Sequence, residues 1–138
     1  MKRIAAAFAL ALLSAQAQAS GGFSCEADDK NVAKLVIEGA TPRSEPGLIN
    51  FGGVLEVGGK KVEFKLSDVK KFTGQNGIIQ VRAAASAGEE NFTVFMKVRR
   101  NPKDEDDWRG TYEVSYGVAG YKVKAENVKR GKVKCFVE

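Results

Sequence analysis

Beyond residue 20 the chain alternates apolar and polar positions with a period of two. Val62, Phe64 and Leu66 alternate with Lys61, Glu63 and Lys65, and Ile49, Phe51, Gly53, Leu55 and Val57 keep one parity. Phe92, Val94, Met96 and Val98 stand against Thr93, Lys97 and Arg99. Tyr112, Val114 and Tyr116 continue the pattern, then Tyr121 and Val123, and Val133, Cys135 and Val137 close it against Lys132, Lys134 and Glu138. Successive side chains of a strand point to opposite faces, so this alternation predicts half-buried strands. Shorter runs at 23–27, 32–38 and 78–84 fit strands as well.

Turn chemistry separates these runs. Gly58-Gly59 between two alternating segments predicts a two-residue hairpin. Gly117, Gly120 and Gly131 are expected to serve turns near the end of the chain. Thr41-Pro42 through Pro46-Gly47 reads as a loop that no central strand could contain, and Asn101-Pro102 opens an acidic loop of Asp104, Glu105, Asp106 and Asp107. Only residues 67–75 differ: Ser67 is a plausible N-cap, and one or two helical turns are expected after it. The fold class is therefore all-β. Eight or nine short strands with one short helical turn form a small antiparallel β-barrel, with a β-sandwich as the alternative. A barrel is preferred because closure removes exposed edges.

The first nineteen residues add the compartment. Met1-Lys2-Arg3 is a basic head, Ile4 to Leu13 an apolar run, and Ala17-Gln18-Ala19 ends in small residues. These are the parts of a secretory signal peptide, and the run is shorter than the roughly 20 residues a membrane helix needs. Residues 1–19 are expected to be removed, and residues 20–138 to fold as one all-β domain that spans no membrane and is periplasmic, or alternatively extracellular. Polar residues such as Lys61, Glu63 and Lys97 on the face opposite the apolar parity argue against an outer-membrane barrel. Cys25 and Cys135 are the two cysteines, and in an oxidising compartment one disulfide is the default. It would tie the first segment of the domain to the last. A small exported β domain with a cysteine in each terminal strand resembles bacterial lysozyme-inhibitor barrels in architecture. The inhibitory loop motif of that family does not occur in this chain, so the resemblance implies a fold and assigns no residue a role.

Chemistry is constrained mainly by what is missing. The chain has no histidine, so neither a Ser-His-Asp triad nor a His-based metal site can be assembled. No cofactor and no metal are expected. A carboxylate-dependent hydrolase remains formally possible but is the weakest reading. The acidic run at 104–107 lacks the spacing of a calcium loop and reads as a solvated hairpin tip. The net charge of +5 becomes +3 once Lys2 and Arg3 are removed, too mild for a nucleic-acid binder. The positive charge gathers late, in Lys122, Lys124, Lys132 and Lys134. Neighbouring strands would merge these four into one stripe. Phe95 and Phe136 lie on the otherwise polar parity, and Trp108 follows the acidic run. These seven residues make the candidate binding surface. The expected function is a non-enzymatic, exported β-barrel protein of the cell envelope that binds a protein partner or small ligand. A binder of anionic envelope polymer with a structural role is the alternative.

Overall fold

The hairpin at Gly58-Gly59 forms as the sequence predicts, with φ of +58° and +74° at the two glycines. That left-handed pair matches the twist of antiparallel strands and suits residues without a Cβ. It joins β3 (Asn50–Val57) to β4 (Lys60–Lys65) in a computed structural model that describes residues 20–42 and 47–138. The expected signal peptide, and residues 43–46 of the proline-containing loop, lie outside the described residues.

Around this hairpin the described residues form nine antiparallel strands. The others are β1 (Ser20–Ala27), β2 (Lys34–Pro42), β5 (Val69–Gln75), β6 (Ile78–Ala87), β7 (Glu90–Asn101), β8 (Asp104–Val118) and β9 (Val128–Val137). Their spatial order is β4-β3-β2-β1-β9-β8-β7-β6-β5, a meander curled into a nearly closed barrel. Eight antiparallel steps lead from β4 to β5, so these two run in the same sense. Only the 3₁₀ turn Leu66–Asp68 separates them. They are in effect one bent strand, whose first half pairs with β3 and whose second half pairs with β6. The Asp68 carboxylate accepts the Lys65 N–H at 2.9 Å at this bend, and a register shift between Val69 and Lys71 completes it. The bend brings the two edges of the sheet together.

The helical turns expected over 67–75 are therefore confined to Leu66–Asp68, and the rest is strand. Tertiary contacts override local propensity here: Phe72 stacks on Phe23 at 5.9 Å, and β5 pairs along β6. Four further expectations need correction. Tyr121 and Val123 leave the sheet for the loop between β8 and β9, because Gly120 turns the chain at φ +84°. Ile49 and Leu66 lie beyond the ends of β3 and β4 and are 53% and 43% exposed. β2 continues through Thr41 to Pro42, with the proline at its last position, where the ladder ends. Gly131 lies inside β9 and makes no turn.

The interior is filled. Leu35, Ile37, Leu55, Val81, Val94, Met96, Val98, Val114 and Val133 are buried, and no described polar or charged side chain is buried with them. One inward row shows how the sheet closes on itself: Phe64, Gly53, Ile37, Cys25, Cys135 and Trp108 lie side by side across six strands. Cys25 and Cys135 are direct cross-strand partners and form the disulfide, with Cα atoms 4.0 Å apart. One end of the barrel is plugged by Phe92 and Tyr116, stacked at 6.0 Å under the Lys60 ammonium. Phe23, Phe72 and Trp108 line the other end.

The loop after β1 is anchored by Asp29. Its carboxylate accepts the Tyr112 hydroxyl at 2.6 Å, the Lys132 N–H at 2.6 Å and the Asn31 N–H at 3.0 Å. Gly131 makes this possible, since a Cβ there would collide with both Asp29 and the Tyr112 hydroxyl. Partial burial opposes ionisation of Asp29, but the hydrogen bonds from Tyr112, Lys132 and Asn31 outweigh it and hold its pKa below the ordinary value. Burial, then the bond to Asp29, raises the Tyr112 pKa.

Candidate functional site

With the interior occupied, the chemistry of the molecule lies on its outer face, and strand register decides what meets there. The outward parity of β9 carries Arg130, Lys132, Lys134 and Phe136; that of β8 carries Asp107, Arg109, Thr111 and Glu113; that of β7 carries Phe95, Lys97 and Arg99. Lys134 lies opposite Arg109, and Arg109 opposite Arg99. Directly paired residues of an antiparallel sheet have Cα atoms about 4.5–5.5 Å apart, so three cations stand in one row across three strands. The next row is Lys132, Thr111 and Lys97. The one after it holds Arg130, Glu113, Phe95 and Arg82.

Few anions offset this face. Asp107 accepts from Arg109 Nε at 2.8 Å, and Glu113 from Arg130 Nε at 2.9 Å. The Asn101 amide and the Arg109 guanidinium hold the Asp107 carboxyl below its usual pKa. Glu26 borders the face, paired in register with Lys134. Among the described residues Lys97, Arg99, Lys132 and Lys134 form no ion pair within the chain. Like charges directly opposite one another destabilise a sheet. Asp107 on Arg109 and Glu26 across from Lys134 offset this only in part along the row Lys134–Arg109–Arg99, leaving Arg99 with no acidic partner among the described residues. Beside it Arg99, Arg100 and Arg109, with Asn76, Asn101 and Asp107, line an open hollow of about 560 Å³.

The expected stripe is thus redrawn. Lys132 and Lys134 lie on the outer face of β9, but Lys122 and Lys124 do not lie on a neighbouring strand. They are exposed in the loop after β8, beside Val118, Tyr121 and Val123. Arg99 and Arg109 instead stand in the row with Lys134, and Lys97 in the row with Lys132. The acidic run is not a hairpin tip either: Pro102 and Lys103 make the tip, and Asp104, Glu105, Asp106 and Asp107 begin β8. Asp104 Oδ1 accepts the Asp106 N–H at 3.0 Å. Trp108 is half-buried against the core, and its indole N–H donates to the Glu105 carbonyl at 3.0 Å.

The two outward phenylalanines part company. Phe95 is half-covered, with the Arg82 guanidinium 5.2 Å from its ring centre. Phe136 is 64% exposed, with the Lys134 ammonium 5.8 Å from its ring centre. Neither is covered by residues 67–75, which pair on the far side of β6. Phe136 instead forms one wall of an open slot of about 410 Å³. Gly22 and Ser24 of β1 floor this slot, Glu38, Ala40, Asn50 and Gly52 extend it over β2 and β3, and Glu138 lines it beyond the end of β9. No family model, curated protein or solved structure matches this chain.

Proposed function

We propose that the chain is an exported, non-enzymatic binding protein of the cell envelope, periplasmic in location, that takes an anionic envelope polymer on the outer face of β7–β9. The observation that carries this reading is the cross-strand row Lys134–Arg109–Arg99, backed by Lys132 and Lys97 in the next row. A filled interior argues against carrying a small molecule inside the barrel. A protein partner would ordinarily meet an apolar, charge-depleted centre, whereas the centre of this face is Arg109, Thr111, Lys97 and Lys132. Regularly spaced cations suit repeated negative groups along a chain, and their summed potential favours its capture. The non-catalytic reading rests on the absence of histidine and on the joining of both cysteines, which removes the common nucleophile–base pairs. The disulfide and the signal-like leader favour export.

The test is equilibrium binding to polyphosphate and to an acidic polysaccharide, comparing the wild type with Arg109→Glu/Lys134→Glu. The double variant is expected to lose at least about tenfold in affinity for both. Unchanged affinity for both would refute the reading.

A further inference from the structure

The exposed Phe136 and the slot beside it call for a separate account. A large aromatic ring left mostly in water on a central strand is unusual, and here it adjoins an opening with polar walls. β1 is the middle strand of this region; Gly22 and Ser24 are its outward residues under the slot, with Glu26 next along the strand. Its neighbours are taller: Glu38 and Phe136 flank Ser24, each directly paired with it. Strands lie about 4.8 Å apart, so Glu38 and Phe136 face each other across two spacings, roughly 10 Å, over a floor of small side chains. That width admits one six-membered ring and not a helix or a second strand.

The walls define the chemistry of the ring. Phe136 offers an apolar surface. Among the described residues Glu38 and Ser24 make no hydrogen bond to another side chain and no group accepts from the Asn50 amide N–H groups, while the Asn50 oxygen accepts the Phe51 N–H at 2.8 Å. A carboxylate accepts strongly from hydroxyls, and an amide donates to them. One stacking face and a rim of hydroxyl-directed groups fit a sugar ring. The charged residues that line the slot are the carboxylates Glu38 and Glu138, while Lys134, over the Phe136 ring, and the basic row adjoin it on the β9 side. An acidic group on the ring would have to point away from Glu38 and Glu138, which both line the slot, toward the Lys134 end of β9. There Lys134 lies two residues along from Phe136, and Arg109 is paired with Lys134.

We propose that the slot over Gly22 and Ser24 holds one sugar ring of an acidic polysaccharide, stacked on Phe136, with the acidic group of that or the next sugar on Lys134 and Arg109. This deepens the reading of the basic face and rests on it.

The test uses the full folded chain and two kinds of probe. Hyaluronan and oligogalacturonate oligomers supply rings and carboxylates; polyphosphate supplies charge without rings. Two slot variants, Ser24→Leu and Phe136→Ala, are compared with Arg109→Glu/Lys134→Glu, after circular dichroism and thermal melting confirm that each is folded. For the better-bound oligosaccharide each slot variant is expected to lose about tenfold in affinity, as for removal of an aromatic anchor. Their affinity for polyphosphate should stay within about twofold. The slot proposal is overturned if these variants bind the oligosaccharide as the wild type does, if they lose both probes equally, or if the wild type prefers polyphosphate to both oligosaccharides. In each case the basic-face reading survives as long as the charge-reversal variant still loses polyphosphate. If that variant binds both probes as the wild type does, the reading of the basic face fails and the slot proposal fails with it.

Discussion

The outer faces of β1–β3 and of β7–β9 belong to one sheet and cover one core, yet they present opposite surfaces. On β7–β9 the outward positions include five long cations, Lys97, Arg99, Arg109, Lys132 and Lys134, against the carboxylates Asp107 and Glu113. On β1–β3 they include Gly22, Ser24, Ala40 and Gly52, which leave a slot, with carboxylates at Glu26 and Glu38. Inward positions do not differ in kind, being buried apolar residues on both sides. The core is thus indifferent to what the exterior does, and the exterior is free to specialise. β9 is the border: its inner side carries Cys135, bonded to β1, and its outer side carries Phe136 toward the slot and Lys134 toward the basic rows.

That border couples the two regions covalently. Cys25→Ala/Cys135→Ala removes the cross-link between the two regions and should lower unfolding free energy by about 2–5 kcal/mol, as for small exported domains. Urea denaturation of the folded variant against the wild type measures it. A loss below about 1 kcal/mol would mean that the β1–β9 ladder alone holds the border.

The Asp29 anchor should come next. Asp29→Ala leaves the Tyr112 hydroxyl and the Lys132 N–H without their acceptor and should cost about 1–3 kcal/mol. Its pH dependence has a definite sign. Asp29 is more acidic folded than unfolded, so its contribution is complete above the ordinary carboxylate pKa of about 3.9 and is lost as pH falls through the lower folded value. Tyr112 behaves oppositely. Its pKa is raised in the fold, so its contribution is intact below about pH 10 and declines as pH rises beyond it. Thermal melts across pH should show Asp29→Ala flattening the acid limb and Tyr112→Phe flattening the alkaline limb. Limbs that coincide with the wild type in both variants would contradict this assignment.

Smaller again is the bend that closes the barrel. Asp68→Ala removes the acceptor of the Lys65 N–H and should cost about 0.5–2 kcal/mol, in the range of a lost cap. Hydrogen exchange should then quicken in β4 and β5 and leave β7 to β9 as before. Uniform acceleration throughout the sheet would show that β4 and β5 do not act as one local closing strand.

Much of this architecture was legible from residue pattern. Alternation marked the cores of β3, β4, β7 and β8 because each buries one face and wets the other. Gly58-Gly59 announced its hairpin, and two cysteines in terminal strands allowed a single pairing. β5 was missed because Ser67-Asp68 mimics a helix start, whereas Phe72 and the β6 backbone supply the deciding contacts. Of the basic face only Lys132 and Lys134 were recognisable. Arg99, Arg109 and Lys97 joined them through cross-strand register, which a linear sequence does not print. Lys122 and Lys124 share a parity with each other but fall past Gly120, outside the sheet. The slot is harder still to foresee: it is a coincidence of small residues on three strands beside one exposed ring, and no segment of sequence contains it.

Whether the β7–β9 face is the contact surface is decided by retention on an acidic polysaccharide column across a salt gradient. Two variants are run beside the wild type: Arg99→Glu/Arg109→Glu/Lys132→Glu/Lys134→Glu, and Lys122→Glu/Lys124→Glu, which places its reversals in the loop after β8. Screening shortens to about 8 Å at physiological ionic strength and further above it, so wild-type retention should fall steeply with salt. The face variant should elute near the void at low salt while the loop variant stays close to the wild type. Co-elution of the face variant with the wild type, or loss of retention in the loop variant alone, would rule out the β7–β9 face as the contact surface.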